Sequence, residues 1–229
     1  MKLRRWDELP SGMRREEVRP YYCSLQRKTV SLRVKRILDV VFSVLLLVLL
    51  APIFLMLAVL IKCDSKGPVF FRQERVTQYG RIFRIYKFRT MSADAEQKGT
   101  QVTLKNDRRI TDIGKVLRKY RLDELPQLIN IFTGDMTFVG TRPEIPDYVK
   151  KYRPDMRATL LLPSGVTSEA SVYFKDEDRL LECANDAQQV YLTKILPQKM
   201  AYNLEQLQGF SIWRDFKTLV YTVVQVARG

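Results

Sequence analysis

Histidine does not occur anywhere in the 229 residues. That absence excludes a histidine general base, a Ser-His-Asp triad and a His-rich zinc centre. Acid–base or nucleophilic chemistry must fall to Asp, Glu, Lys, Tyr, Ser, Thr or Cys. Cysteine is scarce. Cys23, Cys63 and Cys183 are odd in number and far apart. Neither a disulfide framework nor a CxxC zinc pattern follows, and they read as inert packing residues. No Walker A loop is present, so the glycines do not point to an ATPase. Internal repeats and low-complexity tracts are also missing.

Positive charge, by contrast, is abundant. The formal net charge is +14. Such a balance favours an anionic partner: a phosphorylated substrate, an anionic phospholipid membrane surface, or nucleic acid. No helix-turn-helix, zinc or aromatic-interleaved pattern is visible, so nucleic acid is not the expected partner. The length suits one domain, or one domain with appendages, and 46% hydrophobic residues can build a core.

One long apolar run stands out, VVFSVLLLVLLAPIFLMLAVLI, from Val40 to Ile61. As one helix it would reach about 33 Å, enough to cross a bilayer core. It starts too far into the chain, and lacks the small-x-small pattern, for a cleaved signal peptide. Two features argue against a simple span. Pro52 removes a backbone hydrogen bond and bends or breaks the helix. Both flanks are basic: Arg33, Lys35 and Arg36 before, Lys62, Lys66, Arg72 and Arg75 after. The positive-inside tendency draws both ends to one side. A re-entrant helix-break-helix satisfies both facts. A kinked span and a buried core helix are the alternatives.

Around this run the chain changes character. Residues 1–30 are polar and basic and read as a mobile or membrane-surface arm. VFF and RIFRIYKF alternate, and predict two short strands joined through a turn at Tyr79-Gly80. Residues 92–107 read as a polar loop. TDIGKVLRKYRL (111–122) has helical spacing, with Ile113, Val116, Leu117 and Tyr120 on one face. Residues 134–154, rich in Gly and Pro, predict irregular chain between short elements. The tail from Ala184 to Arg228 reads as largely helical. Its Trp, Phe and basic residues suit either a membrane interface or packing on the protein's own core.

The stretch RLDELPQL sets Asp123 beside Glu124. Neighbours on a regular helix point about 100° apart, so the two acids diverge unless the helix starts or breaks there. Pro126 supplies a reason for a boundary, since it disfavours helical backbone at Leu125. Basic residues recur on nearby turns and element ends: Lys87 and Arg89 in YKFRTM, Arg118, Lys119 and Arg121 before Asp123, and Arg142 in VGTRPE. Arginine and lysine bind phosphate oxygens. A carboxylate can hold Mg²⁺ beside substrate phosphates, or attack phosphorus. Phosphoryl transfer needs positioning and charge neutralisation and no histidine. Taken singly, each of these charges also fits a solvated surface.

Together the motifs are recognisable. KRILD enters an apolar helix broken at Pro52. It is followed in order by GPVFFRQERV, IYKFRTM and LRKYRLDELPQLINIFTGDMTFVGTRPE. The sequence resembles the bacterial sugar transferase family of monotopic phosphoglycosyl transferases, from about Lys35 to about Arg153 and more weakly beyond. The resemblance implies an α/β fold, mostly helical with a small β-hairpin. A re-entrant membrane helix broken at Ala51-Pro52 and amphipathic interfacial helices would accompany it. It implies a basic N-terminal arm (1–34), the membrane element (35–62) and a catalytic domain (63–229). It implies a site on the cytoplasmic face of the bacterial inner membrane. There a sugar 1-phosphate would pass from a nucleotide diphosphate sugar, a UDP-sugar above all, to undecaprenyl phosphate.

By the same resemblance, Asp123 attacks the sugar-bearing phosphate, and Glu124 helps to hold Mg²⁺ with it. Lys87, Arg89, Arg118 and Arg142 would bind substrate phosphate. Three departures stand out. Thr141 replaces a proline before Arg142, Ala51 replaces a frequent serine before Pro52, and PSGVTSEAS from Pro163 replaces a common PGxTGxxQ stretch. The last leaves the identity of the sugar undetermined. The oligomeric state is equally open, a homo-oligomer included.

Overall fold

The computed structural model describes residues 1–92, 107–174 and 186–228. Ser92 and Asp107 bound the expected loop, whose residues 93–106 lie outside the described ones, as does Cys183. The fold is mostly helical. Helices α1 (Arg19–Gln26), α2 (Thr29–Leu49) and α3 (Ala51–Asp64) lead into a hairpin of β1 (Phe70–Val76) and β2 (Ile82–Phe88). Then follow α4 (Asp112–Lys119), α5 (Gln127–Thr133), β3 (Met136–Val139), α6 (Pro146–Lys150), β4 (Ser164–Thr167) and α7 (Glu169–Tyr173). The last part is α8 (Ala187–Val190), running through a π-helical turn into α9 (Leu196–Gln208), and α10 (Ile212–Arg228).

The hairpin is antiparallel, from Phe70 opposite Phe88 to Val76 opposite Ile82, and turns where expected. Tyr79 (φ 59°) and Gly80 (φ 78°) both take left-handed backbone there. The region expected to be irregular holds β3, which pairs in parallel with β4 beyond it, Met136 opposite Ser164 and Val139 opposite Thr167. Four-residue strands carry too little alternation to be seen in sequence. Gly165 allows the crossing. A Cβ there would lie 2.2 Å from the Gly140 backbone.

The first residues are not a mobile arm. Leu9, Met13, Val18 and Leu25 are buried in one core with Tyr148, Leu161 and Met200. The polar composition of this stretch hid four apolar anchors spaced too irregularly for a periodic signal. Cys23 and Cys63 are exposed free thiols, not packing residues.

The apolar run breaks where expected. Leu50 leaves helical geometry (φ −90°, ψ 1°), Pro52 sits in the first turn of α3, and the two helices meet at 61°. No single helix among the described residues is long and apolar enough to cross a membrane; this bent pair meets the criteria only jointly.

The burial of α2 is inverted relative to a helix of a water-soluble protein. Its buried face is Leu32, Lys35, Asp39 and Ser43, while Val34, Ile37, Val41, Phe42, Leu45 and Val48 are exposed. Lys35 Nζ donates to the Val139 carbonyl at 3.0 Å and pairs with Asp215 Oδ2 of α10 at 2.5 Å. Asp39 accepts from Thr137 Oγ1 (2.7 Å) and the Phe138 N–H (3.3 Å). Arg36 donates to the carbonyls of Ile131 (2.6 Å) and Phe132 (2.9 Å), at the end of α5. Lys35 and Arg36, two of the three basic residues before the run, are therefore internal ties. Helix α10 is inverted in the same way. Asp215 and Thr218 face inward, and Trp213, Phe216, Val220 and Val223 face outward.

Candidate active site

The acids lie on a short 3-10 turn, Leu122–Glu124, between α4 and α5. The break that frees them comes before the turn. Arg121 takes left-handed backbone (φ 53°, ψ 24°), which ends α4 and redirects the chain. Such a conformation is uncommon for a residue with a side chain. Pro126 plays a different part from the one expected. Leu125 (φ −53°, ψ −38°) and Pro126 (φ −62°, ψ −13°) both stay in right-handed helical geometry and lead into α5. Leu122 and Leu125 flank the acids and pack with Leu57 and Ile61 of α3, Phe88 of β2 and Leu117 of α4. This packing fixes the acidic turn against the second half of the bent helix pair.

Of the helical face expected on α4, Ile113 and Leu117 join that cluster, but Val116 and Tyr120 are exposed. Gly114 lets α4 approach closely, since a Cβ there would sit 2.1 Å from the Thr90 carbonyl oxygen. The approach carries Arg118 to Thr90, and its Nε donates to Thr90 Oγ1 at 2.9 Å.

Two cations close on Glu124. Lys87 Nζ donates to its Oε1 at 2.9 Å. Arg142 bridges both carboxylate oxygens, through Nη1 to Oε2 at 3.2 Å and through Nη2 to Oε1. Arg142 Nη1 also reaches the Val166 carbonyl at 3.3 Å, tying β4 to the site. Asp123, 8% exposed, is held less closely, with Lys87 Nζ 4.0 Å from Oδ2. The electrostatics separate the pair. Burial raises the Asp123 carboxyl above its ordinary range, Lys87 opposes that, and Glu124 reinforces it. Burial also acts to raise Glu124, but Arg142 and Lys87 overcome it and hold this carboxyl well below its usual value. Burial lowers the Lys87 ammonium, against the pull of Glu124.

Lys87, Arg142 and the two acids are thus brought together, with Arg118 beside them on Thr90. Arg89 is not. It is buried, and its guanidinium donates to the carbonyls of Lys66, Ser65 (2.8 Å) and Ile61 (3.4 Å). It caps the C-terminal end of α3, where helix carbonyls lack partners. Only one residue separates Lys87 from Arg89, but their side chains serve different elements.

Sequence reading missed Arg75, which lies within electrostatic reach of Glu144, Arg142 and Glu124. Burial lowers its guanidinium, and it donates to the Pro143 carbonyl (3.1 Å) and Gln73 Oε1 (2.7 Å). Its place in FFRQERV was the available signal. Gln127, directly after Pro126, was missed as well.

Two adjacent carboxylates offer oxygen ligands of the kind Mg²⁺ takes. Among the described residues no group of three or more His, Cys, Asp or Glu could hold a metal. With Glu124 already bridged by two cations, the donor set fits an ion completed by substrate phosphate and water. It does not fit an ion caged by protein alone.

Fold and site together define a class: a helical protein with a bent apolar helix pair packed beside an acid pair enclosed by cations. The chain belongs to the bacterial sugar transferase family, whose model matches residues 30–229. It is 35% identical over 202 residues to the UDP-N-acetylgalactosamine-undecaprenyl-phosphate N-acetylgalactosaminephosphotransferase of Aeromonas hydrophila, across 86% of this chain and 44% of that protein. It is 37% identical over 202 residues to the UDP-glucose:undecaprenyl-phosphate glucose-1-phosphate transferase of Caulobacter vibrioides, across 87% and 71%. Against the protein of the same description from Klebsiella pneumoniae it is 36% identical over 194 residues, across 82% and 39%. The chain therefore spans 44% and 39% of the length of the Aeromonas and Klebsiella relatives.

Proposed function

We propose that this chain transfers a sugar 1-phosphate from a UDP-sugar to undecaprenyl phosphate, the first step of assembling a surface glycan. The observation that carries this reading is the Asp123–Glu124 pair, Asp123 buried and Glu124 nearly so, enclosed by Lys87 and Arg142 on a turn whose Leu122 and Leu125 pack against α3. The similarity to relatives named for this transfer supports it. Asp123 attacks the sugar-bearing phosphorus. The diphosphate P–O bond breaks, and UMP leaves with the electron pair. A phosphate oxygen of undecaprenyl phosphate then attacks that phosphorus. The aspartyl–phosphorus bond breaks, the carboxylate returns, and an undecaprenyl diphosphate sugar is formed.

Arg142 and Lys87 orient Glu124 and place positive charge where phosphate oxygens gather. Arg118 extends that positive field. Asp123 and Glu124 would hold magnesium, which when bound neutralises diphosphate charge.

The experiment is a donor screen. Detergent-extracted protein, undecaprenyl phosphate, Mg²⁺ and a panel of UDP-sugars should release UMP with at least one donor, and chelation should abolish the release. No UMP from any donor would overturn the reading. The relatives named above act on N-acetylgalactosamine or glucose donors at nearly equal identity. The screen, rather than similarity, must therefore name the sugar.

We also infer that the bent pair dips into the cytoplasmic leaflet of the inner membrane and returns. The inverted burial of α2 and α10 supports this, since large contiguous apolar surface calls for an apolar surrounding. Cys23 precedes α2 and Cys63 lies in the last turn of α3, and both are exposed. With Cys183 replaced by Ser, a membrane-impermeant maleimide should label both in inside-out vesicles and neither in right-side-out ones. Labelling from opposite sides would mean a span.

A further inference from the structure

Gln127 opens α5 and is 1% exposed, yet neither its Nε2 nor its Oε1 has a hydrogen-bond partner among the described residues. A buried amide without partners is unfavourable, and proteins seldom keep one without a reason. Its position suggests the reason. The backbone from Leu122 to Gln127 is continuously right-handed helical. Gln127 follows Asp123 by four residues and Glu124 by three, so it lies one turn on from both acids. Gln and Asp side chains four apart on a helix can hydrogen-bond.

The acids differ in what they lack. Both oxygens of Glu124 are taken by Lys87 and Arg142. The Asp123 carboxylate has no hydrogen bond among the described residues, and Lys87 stands 4.0 Å from its Oδ2. An amide donor without an acceptor among the described residues thus lies one helical turn on from a carboxylate short of donors.

We propose that Gln127 is a positioning residue for transfer: in the reacting arrangement its Nε2–H donates to one Asp123 carboxylate oxygen. The other oxygen is thereby aimed at phosphorus. The role rests on the proposed reaction of Asp123. It concerns the orientation of the nucleophile, not donor binding, and misplacing a reacting group by about 1 Å can reduce rate on the order of 10²-fold.

The test compares Gln127→Leu and Gln127→Met, both near in size and lacking the amide. Expected are a melting temperature unchanged or higher, kcat for UMP release down by roughly 10- to 100-fold, and a donor KM within about twofold of wild type, because orientation rather than affinity is lost. Wild-type kcat in both variants would overturn the proposal. So would activity lost only in proportion to folded protein, which would make Gln127 structural.

The contact can also be read without turnover. The Gln127 side-chain NH₂ resonance, identified by its loss in Gln127→Leu, should shift in Asp123→Ala. An unmoved resonance counts against the contact. If the wild-type protein releases UMP from no donor, the transfer reading fails on its own, and this resonance decides whether the amide serves Asp123.

Discussion

Asp123→Asn is expected to lower UMP release on the order of 10³-fold or more, whichever donor proves active. The amide keeps the shape of the carboxylate and removes the nucleophile. Folding should survive the change. Burial raises the Asp123 carboxyl, so at neutral pH the folded state holds a charge it disfavours. A group whose pKa is raised on folding binds its proton more tightly in the native state, which favours folding at low pH and loses that advantage as pH rises. Asparagine should therefore leave the protein as stable as wild type, or more so, near neutrality. The difference should vanish at acid pH, where the carboxyl is protonated in both states. Thermal unfolding at the two pH values checks the sign.

Without acceptor, wild-type protein given an active donor should carry a phosphosugar mass on the peptide containing Asp123. Full activity in Asp123→Asn, or an adduct on another residue, would reject the covalent assignment. Glu124→Gln should behave differently. It leaves Asp123 in place but releases Lys87 and Arg142 from their shared partner, so it disturbs the field around the site more than the nucleophile itself.

The second large effect is on stability, far from the acids in sequence. Asp215→Ala should destabilise the fold by about 3–5 kcal/mol, because it leaves the Lys35 ammonium buried with the Val139 carbonyl as its one hydrogen-bond acceptor among the described residues. Lys35→Met alone should cost a similar amount for the opposite charge. The double change Lys35→Met with Asp215→Leu should recover most of the loss, since apolar replacement of a buried pair is often neutral or stabilising. Urea unfolding in detergent micelles reads all three. Singles that unfold like wild type would mean that water reaches the pair. The pair joins α2 to α10, the two helices whose apolar faces point outward. Its loss should therefore also loosen how the bent pair sits on the rest of the protein.

Much of this protein was legible in the amino-acid order. The apolar run, its break at Pro52 and the hairpin turning at Tyr79-Gly80 follow from local rules about hydrophobic length, proline geometry and strand alternation. The acids and most of their cations could be named because they stand in motifs. Tertiary contacts decided the rest. Arg89 looked like a partner of Lys87, and only the approach of α3 to the end of β2 turned it into a cap. Pro126 looked like the breaker, yet the left-handed turn falls at Arg121, a residue with no local preference for it.

Lys35 read as a charge at the edge of a membrane segment, and Asp39 stands between it and the apolar run. They are buried because β3 and α10 come to meet them from about 100 and 180 residues away. Local sequence determines backbone preference and which stretches must leave water. Which charge meets which, and whether a buried amide finds a partner, depends on contacts between distant segments that no local pattern encodes.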